Sequence, residues 1–106
     1  MSDCVFCKIA EKEIPSEFLY EDEFCIVFRD INPKADTHLL IVPKKHIPTI
    51  MDMEDGDEKI IGHLIACAKK MGTKLNLPGY HLQINVGKDG GQEVFHVHVH
   101  MMSNFA

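Results

Sequence analysis

An alternation of histidine and apolar residues near the end of the chain constrains its fold most strongly. Residues 96–102 read His-Val-His-Val-His-Met-Met. Side chains alternate faces along a β-strand, whereas a helix would scatter the three imidazoles around its surface. Valine also favours an extended backbone. The pattern therefore predicts a strand with one buried apolar face and one face that carries His96, His98 and His100.

Three imidazoles on one face of a strand suit two kinds of chemistry. They bind a metal ion, or they act as nucleophile and acid–base groups. The alternative, a solvated edge strand, usually carries Lys, Thr or Glu instead. Upstream, residues 85–92 include three glycines, and such a loop can present backbone N–H groups to an anion. Beside a histidine nucleophile this loop favours a phosphate-bearing ligand, although the same residues also form ordinary hairpin turns.

The length and charge of the chain limit its function classes. At 106 residues it is long enough for one core, which predicts a single domain over residues 1–106. Its net charge of -5 argues against nucleic-acid binding, which relies on a basic surface. No apolar run reaches the length of a membrane span, and residues 1–4 do not begin a signal peptide. We therefore expect a cytoplasmic protein that binds neither nucleic acid nor membrane.

The apolar patterns predict an antiparallel sheet with two helices. Strands are expected over residues 17–20, 24–30, 37–43, 80–85 and 93–102, joined mostly by short links. Residues 4–12 suggest a short helix, and from 55 to 75 apolar residues recur at helical spacing. The sum is an α+β fold, a five-stranded antiparallel sheet with one long helix and a short N-terminal helix on one face.

The four cysteines fall into a pair and two single residues. Cys4 and Cys7 form a C-x-x-C pair, which is typical of half a zinc site or of a redox couple. The redox motif belongs to a parallel-sheet fold, which is not predicted here, so zinc is favoured if two further ligands exist. Cys25 and Cys67 lie in apolar patterns and are expected to be buried. His63 is interpreted as a packing or surface histidine of the long helix.

The motif at residues 96–102 has the form His-φ-His-φ-His-φ-φ, in which φ is apolar, and it follows a Gly-Gly-Gln loop at residues 90–92. In these features the chain resembles the histidine-triad nucleotide-binding proteins, and within them the small, Hint-like purine nucleoside phosphoramidase branch. The resemblance covers nearly the whole chain. It includes Lys8, Ile14-Pro15, Tyr20-Glu21-Asp22, Asp30-Ile31, Thr37-His38, residues 42–46 and Asn85.

The resemblance implies an assembly and an activity. Two five-stranded sheets would join edge to edge in a homodimer, with residues 57–75 at the interface. The protein would bind a purine nucleotide such as AMP or GMP. It would hydrolyse purine nucleoside 5′-phosphoramidates to the nucleoside monophosphate and an amine, through a nucleotidyl-histidine intermediate. Two alternatives stay open, which are a dinucleoside polyphosphate hydrolase and a nucleotide-binding regulatory scaffold.

The resemblance also implies roles for individual residues. His98 would be the nucleophile and His100 would bond the α-phosphate, while His96 and His38 would support the orientation of the imidazole. Asp30 would accept the ribose hydroxyls, which suits an acceptor-only carboxylate. The base would contact Val5, Phe6, Ile9, Phe28, Arg29 and Ile31, and the phosphate would contact Asn85, Gly91, Gln92 and Glu93. Glu93 stands where some relatives have a serine, so only its backbone N–H is assigned, because a carboxylate would repel phosphate.

A zinc site is the last implication of the resemblance. Some relatives hold zinc between an N-terminal C-x-x-C, a histidine after a proline and the first histidine of the motif. The corresponding residues here are Cys4, Cys7, His46 and His96. Two thiolates and two imidazoles make a closed, structural zinc site, so the chemistry itself needs no cofactor. The side chain of His96 would then be unable to orient His98, although its backbone carbonyl still could. The alternative is a pair of reduced cysteines in an N-terminal turn.

Overall fold

In a computed structural model, which describes residues 4–104, the chain forms a five-stranded antiparallel sheet with two helices. The strand order is β1-β2-β3-β5-β4, and every neighbouring pair is antiparallel. The predicted α+β class is therefore confirmed, while residues 1–3 and 105–106 of the predicted single domain lie outside the described range. The elements are α1 (Val5–Ala10), β1 (Phe18–Glu21), β2 (Cys25–Arg29), β3 (Thr37–Pro43), α2 (Asp57–Lys74), β4 (His81–Gln83) and β5 (Val99–Ser103).

The strands β2 and β3 are apolar at almost every position and lie in the interior of the sheet. They pair along their length, with Val27 opposite Ile41 and Ile26 opposite Val42. Alternate residues face opposite sides of a sheet. Accordingly, Val27 and Ile41 belong to one buried cluster and Ile26 and Val42 to another. Both faces of the sheet therefore need a cover.

The two helices provide those covers on opposite faces. α2 packs Leu64 and Met71 into the cluster that contains Val27, whereas α1 packs Phe6 and Ile9 into the cluster on the other side. The prediction that both helices lie on one face is wrong. The physical reason is the continuous apolar character of β2 and β3, which would leave one face bare under that arrangement.

The apolar residues predicted to share one side of the long helix α2 include Leu64, Ile65, Ala68 and Met71. Leu64, Ala68 and Met71 are buried, but Ile65 is 43% exposed. The helix starts with two acidic residues and carries a lysine in its last turn, which suits its dipole. No helix within residues 4–104 is both long enough and apolar enough to cross a membrane.

The strand that carries the histidines is shorter than predicted. β5 begins at Val99, so that His100 lies in the strand while His96 and His98 precede it in a bend and an irregular segment. The N–H of Val97 donates to the carbonyl of Ile47, at 2.7 Å, and not to a neighbouring strand. Because Val97 bonds to a loop, the ladder of hydrogen bonds between β3 and β5 ends at Val99.

Although β5 is shorter than predicted, the side chains of residues 96–101 still alternate between the two faces of the sheet. Val97, Val99 and Met101 lie in the cluster under α2. The rings of His96 and His98 contact Phe6, which belongs to α1 on the opposite face. The predicted separation of apolar residues from imidazoles is therefore confirmed.

A close approach of Tyr80 to α2 gives a first prediction. A Cβ on Gly72 would lie 2.6 Å from Cε2 of Tyr80. Because Tyr80 is 40% exposed and its ring can partly move aside, we expect Gly72→Ala to lower the free energy of unfolding by about 1 kcal/mol, the low end of the cost of overpacking, in urea denaturation. In a Tyr80→Ala background the methyl group has room, and alanine should then favour the helix by up to about 1 kcal/mol. An equal loss in both backgrounds would contradict the contact.

Candidate active site

A cavity of about 710 Å³ opens on the face of the sheet that α1 covers. Its volume lies in the range of pockets for small molecules and cofactors. All residues that the resemblance assigned to the base, ribose and phosphate line it except Gln92. Its lining consists of Val5, Phe6, Ile9, Phe28, Arg29, Asp30, Ile31, Asn32, Lys34, His38, Leu40, His81, Gln83, Asn85, Gly91, Glu93, Val94, His98, His100 and Met102.

Several of these lining residues were missed by the sequence reasoning. His81 and Gln83 precede the assigned Asn85 at alternate positions, and they pair with Met102 and His100 of β5. Alternation along β4 could have indicated them. Lys34 lies in the link between β2 and β3, and its backbone N–H donates to His38. No local pattern marked this lysine as a cavity residue.

The tautomer of His98 follows from its hydrogen bond to the backbone. Its Nδ1 lies 2.7 Å from the carbonyl oxygen of His96, and because a carbonyl only accepts, Nδ1 carries the proton. Nε2 is then left with a lone pair. Burial lowers the pKa of His98, although the same bond to His96 opposes this shift. The ring is also held edge-on to Phe6, with the ring centroids 5.0 Å apart. His98 is therefore a neutral, fixed imidazole with one basic nitrogen.

A chain of hydrogen bonds fixes the proton on His100. The backbone N–H of Lys34 donates to Nδ1 of His38, at 3.0 Å, so a neutral His38 carries its proton on Nε2. That nitrogen lies 2.9 Å from Nδ1 of His100 and donates to it. The proton of His100 must then be on its own Nε2. His100 thus offers an N–H donor to a ligand in the cavity that it lines.

Burial keeps His38 and His100 uncharged at neutral pH. It lowers the pKa of His100 to about 4, with His98 and His38 nearby adding to the effect. It also lowers the pKa of His38, against the opposing charge of Asp30. His38 therefore bonds the third histidine of the motif, whereas the sequence reasoning had it support His98.

The carboxylate of Asp30 stabilises a turn with one oxygen and also lines the cavity. Its Oδ1 accepts the backbone N–H of Asn32 at 2.8 Å, which is the local turn that a carboxylate after a strand often makes. Its Oδ2 lies 3.4 Å from Nε2 of His38. The carboxylate lines the cavity and is still partly exposed, so it has capacity to accept hydrogen bonds from a ligand.

The side chain of Gln92 bonds to the backbone of the glycine loop and of its neighbours, and it does not line the cavity. Its Oε1 accepts the N–H of Gly87 at 2.8 Å, and its Nε2 donates to the carbonyls of Pro48 and Val94, at 2.7 and 3.0 Å. All three of these bonds hold the amide inside the protein, where Gln92 is only 5% exposed. The contact of Gln92 with phosphate that the resemblance implies stays a prediction.

The front of the loop is formed by Gly91 and Asn85. Gly91 has φ +84, a conformation that favours glycine, and a Cβ there would lie 3.3 Å from Nδ2 of Asn85. The amide of Asn85 in turn donates to the carbonyl of Gly90 at 2.8 Å. The bond from Asn85 to Gly90 fixes the shape of the loop where Asn85 and Gly91 line the cavity.

The side chain of His96 points away from the cavity into a cluster with Cys4, Cys7 and His46. One ligand atom from each lies within 4.8 Å of all the others. Nε2 of His96 lies 2.7 Å from the carbonyl oxygen of Pro43 and donates to it, which leaves Nδ1 with its lone pair toward the thiols. Burial lowers the pKa of His96 to about 4, partly offset by this bond to Pro43.

The distances in this cluster resemble those of a tetrahedral zinc site. Sγ of Cys4 lies 3.3 Å from Nδ1 of His96, and Sγ of Cys7 lies 3.3 Å from Nδ1 of His46. The two Nδ1 atoms are 3.2 Å apart. Ligands at tetrahedral corners around zinc, at about 2.3 Å for sulfur and about 2.0 Å for nitrogen, would be about 3.3–3.8 Å from one another. The four side chains thus fit a closed zinc site.

Comparisons with known proteins show the family and the fold of the chain. A family model described as "HIT domain" matches residues 11–106. Protein HitA of Neisseria gonorrhoeae is 42% identical over 103 residues, which is 96% of either chain. The crystal structure of a HIT family hydrolase from Legionella pneumophila is 48% identical and has a TM-score of 0.90, covering 95% of this chain and 92% of that one. A histidine triad protein from Clostridium difficile is 40% identical with a TM-score of 0.94, covering 98% and 92%.

The buried bonds of Gln92 give a second prediction. Gln92→Glu removes both N–H donors and places a carboxylate against two carbonyl oxygens. We expect the free energy of unfolding to fall by about 1–3 kcal/mol in urea denaturation, the usual cost of unsatisfied buried polar groups. The matched control is Gln83→Glu, because the amide of Gln83 is half-buried and donates only to Asn85. A similar loss in both variants would contradict the scaffolding role of Gln92.

Proposed function

Because this chain belongs to the HIT domain family, we propose that it is a nucleotide-binding hydrolase that cleaves purine nucleoside 5′-phosphoramidates to a nucleoside monophosphate and an amine. The observation that carries this proposal is the bond from Nδ1 of His98 to the carbonyl of His96. It leaves the other ring nitrogen of His98 unprotonated in a cavity that also holds a carboxylate and a glycine loop. A neutral imidazole with one fixed proton is the form that attacks phosphorus.

The cavity suggests where each part of a nucleotide binds. The phosphate lies against His98 and His100, with the N–H of His100 and the backbone N–H of Glu93 as donors. The ribose hydroxyls donate to Asp30, which is an acceptor when ionised. The purine packs on the apolar wall, where Ile31 is 91% exposed and so offers most of its side chain to a ligand.

The reaction proceeds in two displacements. Nε2 of His98 forms a bond to phosphorus, and the P–N bond of the substrate breaks. The amine leaves with a proton that it takes up from solvent. Water then attacks the nucleotidyl-histidine, releases the nucleoside monophosphate and returns a proton to solvent. Charge on the phosphate oxygens is stabilised by donors that are already in place, so positioning contributes much of the catalysis.

Glu93 favours phosphoramidates over dinucleoside polyphosphates. It lines the same cavity as His98, and its side chain ends in a carboxylate. A polyphosphate leaving group would carry several further negative charges past this carboxylate, and like charges close together are costly. An amine leaving group does not meet that repulsion. The Gly-Gly-Gln loop also agrees with the Hint-like branch of the family.

A second copy of the chain is the partner that we propose. β4 is the last strand in the sheet order, so one edge of its backbone is available for pairing with another strand. Ile65 on the outer side of α2 is 43% exposed and would be covered by the same contact. A homodimer that joins two β4 strands and two α2 helices would satisfy both features.

Zinc is the metal that we propose for the cluster of Cys4, Cys7, His46 and His96. Its role is structural, because four protein ligands leave no open position for substrate. The cluster ties the N-terminal helix α1 to the segment before β5, and α1 forms one wall of the cavity. Zinc would in this way support the position of Phe6 against His98.

The nucleophile gives the third prediction. We expect His98→Asn to lower the kcat for an adenosine 5′-phosphoramidate by at least about a thousandfold, because the attacking nitrogen is lost. Binding of AMP, measured by calorimetry, should persist, since Asp30 and the loop donors remain. A variant with near-normal turnover would overturn the proposal. A pure scaffold would show negligible turnover before the substitution as well.

The zinc ligands give the fourth prediction. We expect Cys7→Ser to carry one zinc ion fewer per chain, by elemental analysis of protein purified in zinc-containing buffer. Its midpoint of thermal unfolding should fall by roughly 10 °C, since loss of a tightly bound metal costs several kcal/mol. Lys8→Ala, at the next position of the same helix, is the control and should retain the ion. Unchanged zinc content in Cys7→Ser would contradict the assignment.

A further inference from the structure

A second group of metal-ligating side chains lies on the other face of the sheet. Cys25 of β2 and Cys67 of α2 are fully buried in the cluster between sheet and helix, and their Sγ atoms are 3.1 Å apart. Beside them, Oδ2 of Asp22 lies 2.6 Å from Nε2 of His63. One ligand atom from each residue lies within 4.8 Å of all the others. We call Asp22, Cys25, His63 and Cys67 the β2–α2 cluster.

We propose that the β2–α2 cluster binds a second divalent transition-metal ion of the zinc type. Two sulfurs, one imidazole nitrogen and one carboxylate oxygen are ligands that zinc and cobalt(II) accept in tetrahedral sites. The donors come from the β1–β2 turn, the start of β2 and the middle of α2, so the metal would join the helix to the sheet. Neither the cavity nor the proposed zinc site shares a residue with this cluster.

The carboxylate of Asp22 is held in place as a metal ligand would be. Its Oδ1 accepts the backbone N–H groups of Phe24 and Cys25, at 2.8 and 2.9 Å. Its Oδ2 accepts the hydroxyl of Tyr20 at 2.9 Å and lies 3.9 Å from Sγ of Cys67. Such outer bonds orient ligating groups in metal sites. They leave Oδ2 directed toward the thiols and His63.

His63 was interpreted from the sequence as a packing or surface histidine, and the structure gives it two specific contacts. One is the bond to Asp22, and the other is an edge contact with Phe24, whose ring centroid lies 5.1 Å from that of His63. Its side chain is 28% exposed, and that of Asp22 is 21% exposed. The cluster is therefore buried on its thiol side and open to solvent on its carboxylate and imidazole side, which gives a metal ion a route of access.

Metal binding at this position would be coupled to the release of protons. Cys25 and Cys67 are both buried, free thiols. Binding would displace one proton from each thiol to solvent, forming two metal–sulfur bonds. The imidazole would bind through Nε2 with its proton on Nδ1. A divalent cation would then compensate most of the negative charge of two thiolates and one carboxylate.

The spacing requires a small expansion. The two shortest separations, 2.6 Å between Asp22 and His63 and 3.1 Å between the sulfurs, must open to the about 3.2–3.8 Å of tetrahedral ligands. The partly exposed side chains of Asp22 and His63 can supply this movement. The buried sulfurs need to separate by about 0.7 Å, from 3.1 Å to the about 3.8 Å between two thiolates on a tetrahedral zinc ion.

Cobalt(II) titration of the whole chain under reducing conditions tests the proposal. We expect two equivalents of cobalt bound, with thiolate-to-cobalt absorption from both sites. Cys67→Val, which fits the buried position, should lose one equivalent and its share of that absorption. Cys7→Ser should lose only the other. His63→Gln should weaken the second equivalent by at least about tenfold, since it removes one ligand at a partly exposed position.

Each outcome decides the question. Cobalt stoichiometry and absorption that are the same in Cys67→Val as in the unaltered chain would overturn the proposal. If Cys67→Val does not fold by circular dichroism, an unchanged affinity in His63→Gln overturns it instead. A chain that binds one equivalent, lost in Cys7→Ser and retained in Cys67→Val, also overturns it. One equivalent that is lost only in Cys67→Val would support the β2–α2 cluster while refuting the first site.

Discussion

The position of the His98 ring depends on a backbone carbonyl that is not used in the sheet. β5 starts at Val99, so the carbonyl of His96 lies outside the ladder and accepts the ring N–H of His98 at 2.7 Å. Had the strand run through residue 96 as predicted, a neighbouring strand would compete for that oxygen. The early end of β5 is thus the condition for a fixed tautomer at His98. The side chain of His96 lies in the cluster with Cys4 and Cys7. His96 therefore contacts His98 through its backbone and the proposed zinc site through its side chain.

The sequence predicted the sheet well because its signals are local. The bounds of β3, Thr37–Pro43, are those predicted, and β2 lies within the predicted 24–30, since both are apolar runs ended by turn residues or proline. Many of the cavity residues followed from the motif and the resemblance, whereas Lys34, His81 and Gln83 did not. Two features of this part of the structure were not readable locally. The end of β5 depends on a bond between Val97 and Ile47, and the buried amide of Gln92 depends on Pro48, which is 44 residues away.

The placement of the two helices on opposite faces of the sheet could have been predicted from the sequence, although the prediction made was wrong. β2 and β3 are apolar on both sides, and a strand of that kind needs cover on both faces. Placing the two helices on one face ignored this requirement. The contact between His63 and Asp22, by contrast, could not be predicted from the sequence. Asp22 lies 41 residues earlier, and no spacing rule connects a turn to the middle of a helix. Tertiary packing alone brings the β2–α2 cluster together.

The neutrality of the buried histidines explains how an acidic chain can hold an anion in the proposed function. Burial lowers the pKa of His38, His98 and His100, so these rings bring no net charge to the cavity at neutral pH. An anion there can be held by the N–H of His100 and the backbone N–H of Glu93, with Arg29 and Lys34 as cations that line the cavity. Such donors stabilise charge without needing a basic surface, and the net charge of -5 is then no obstacle to binding one nucleotide. A charged His98 would lack the lone pair that attack requires, so the same burial that removes positive charge also preserves the nucleophile.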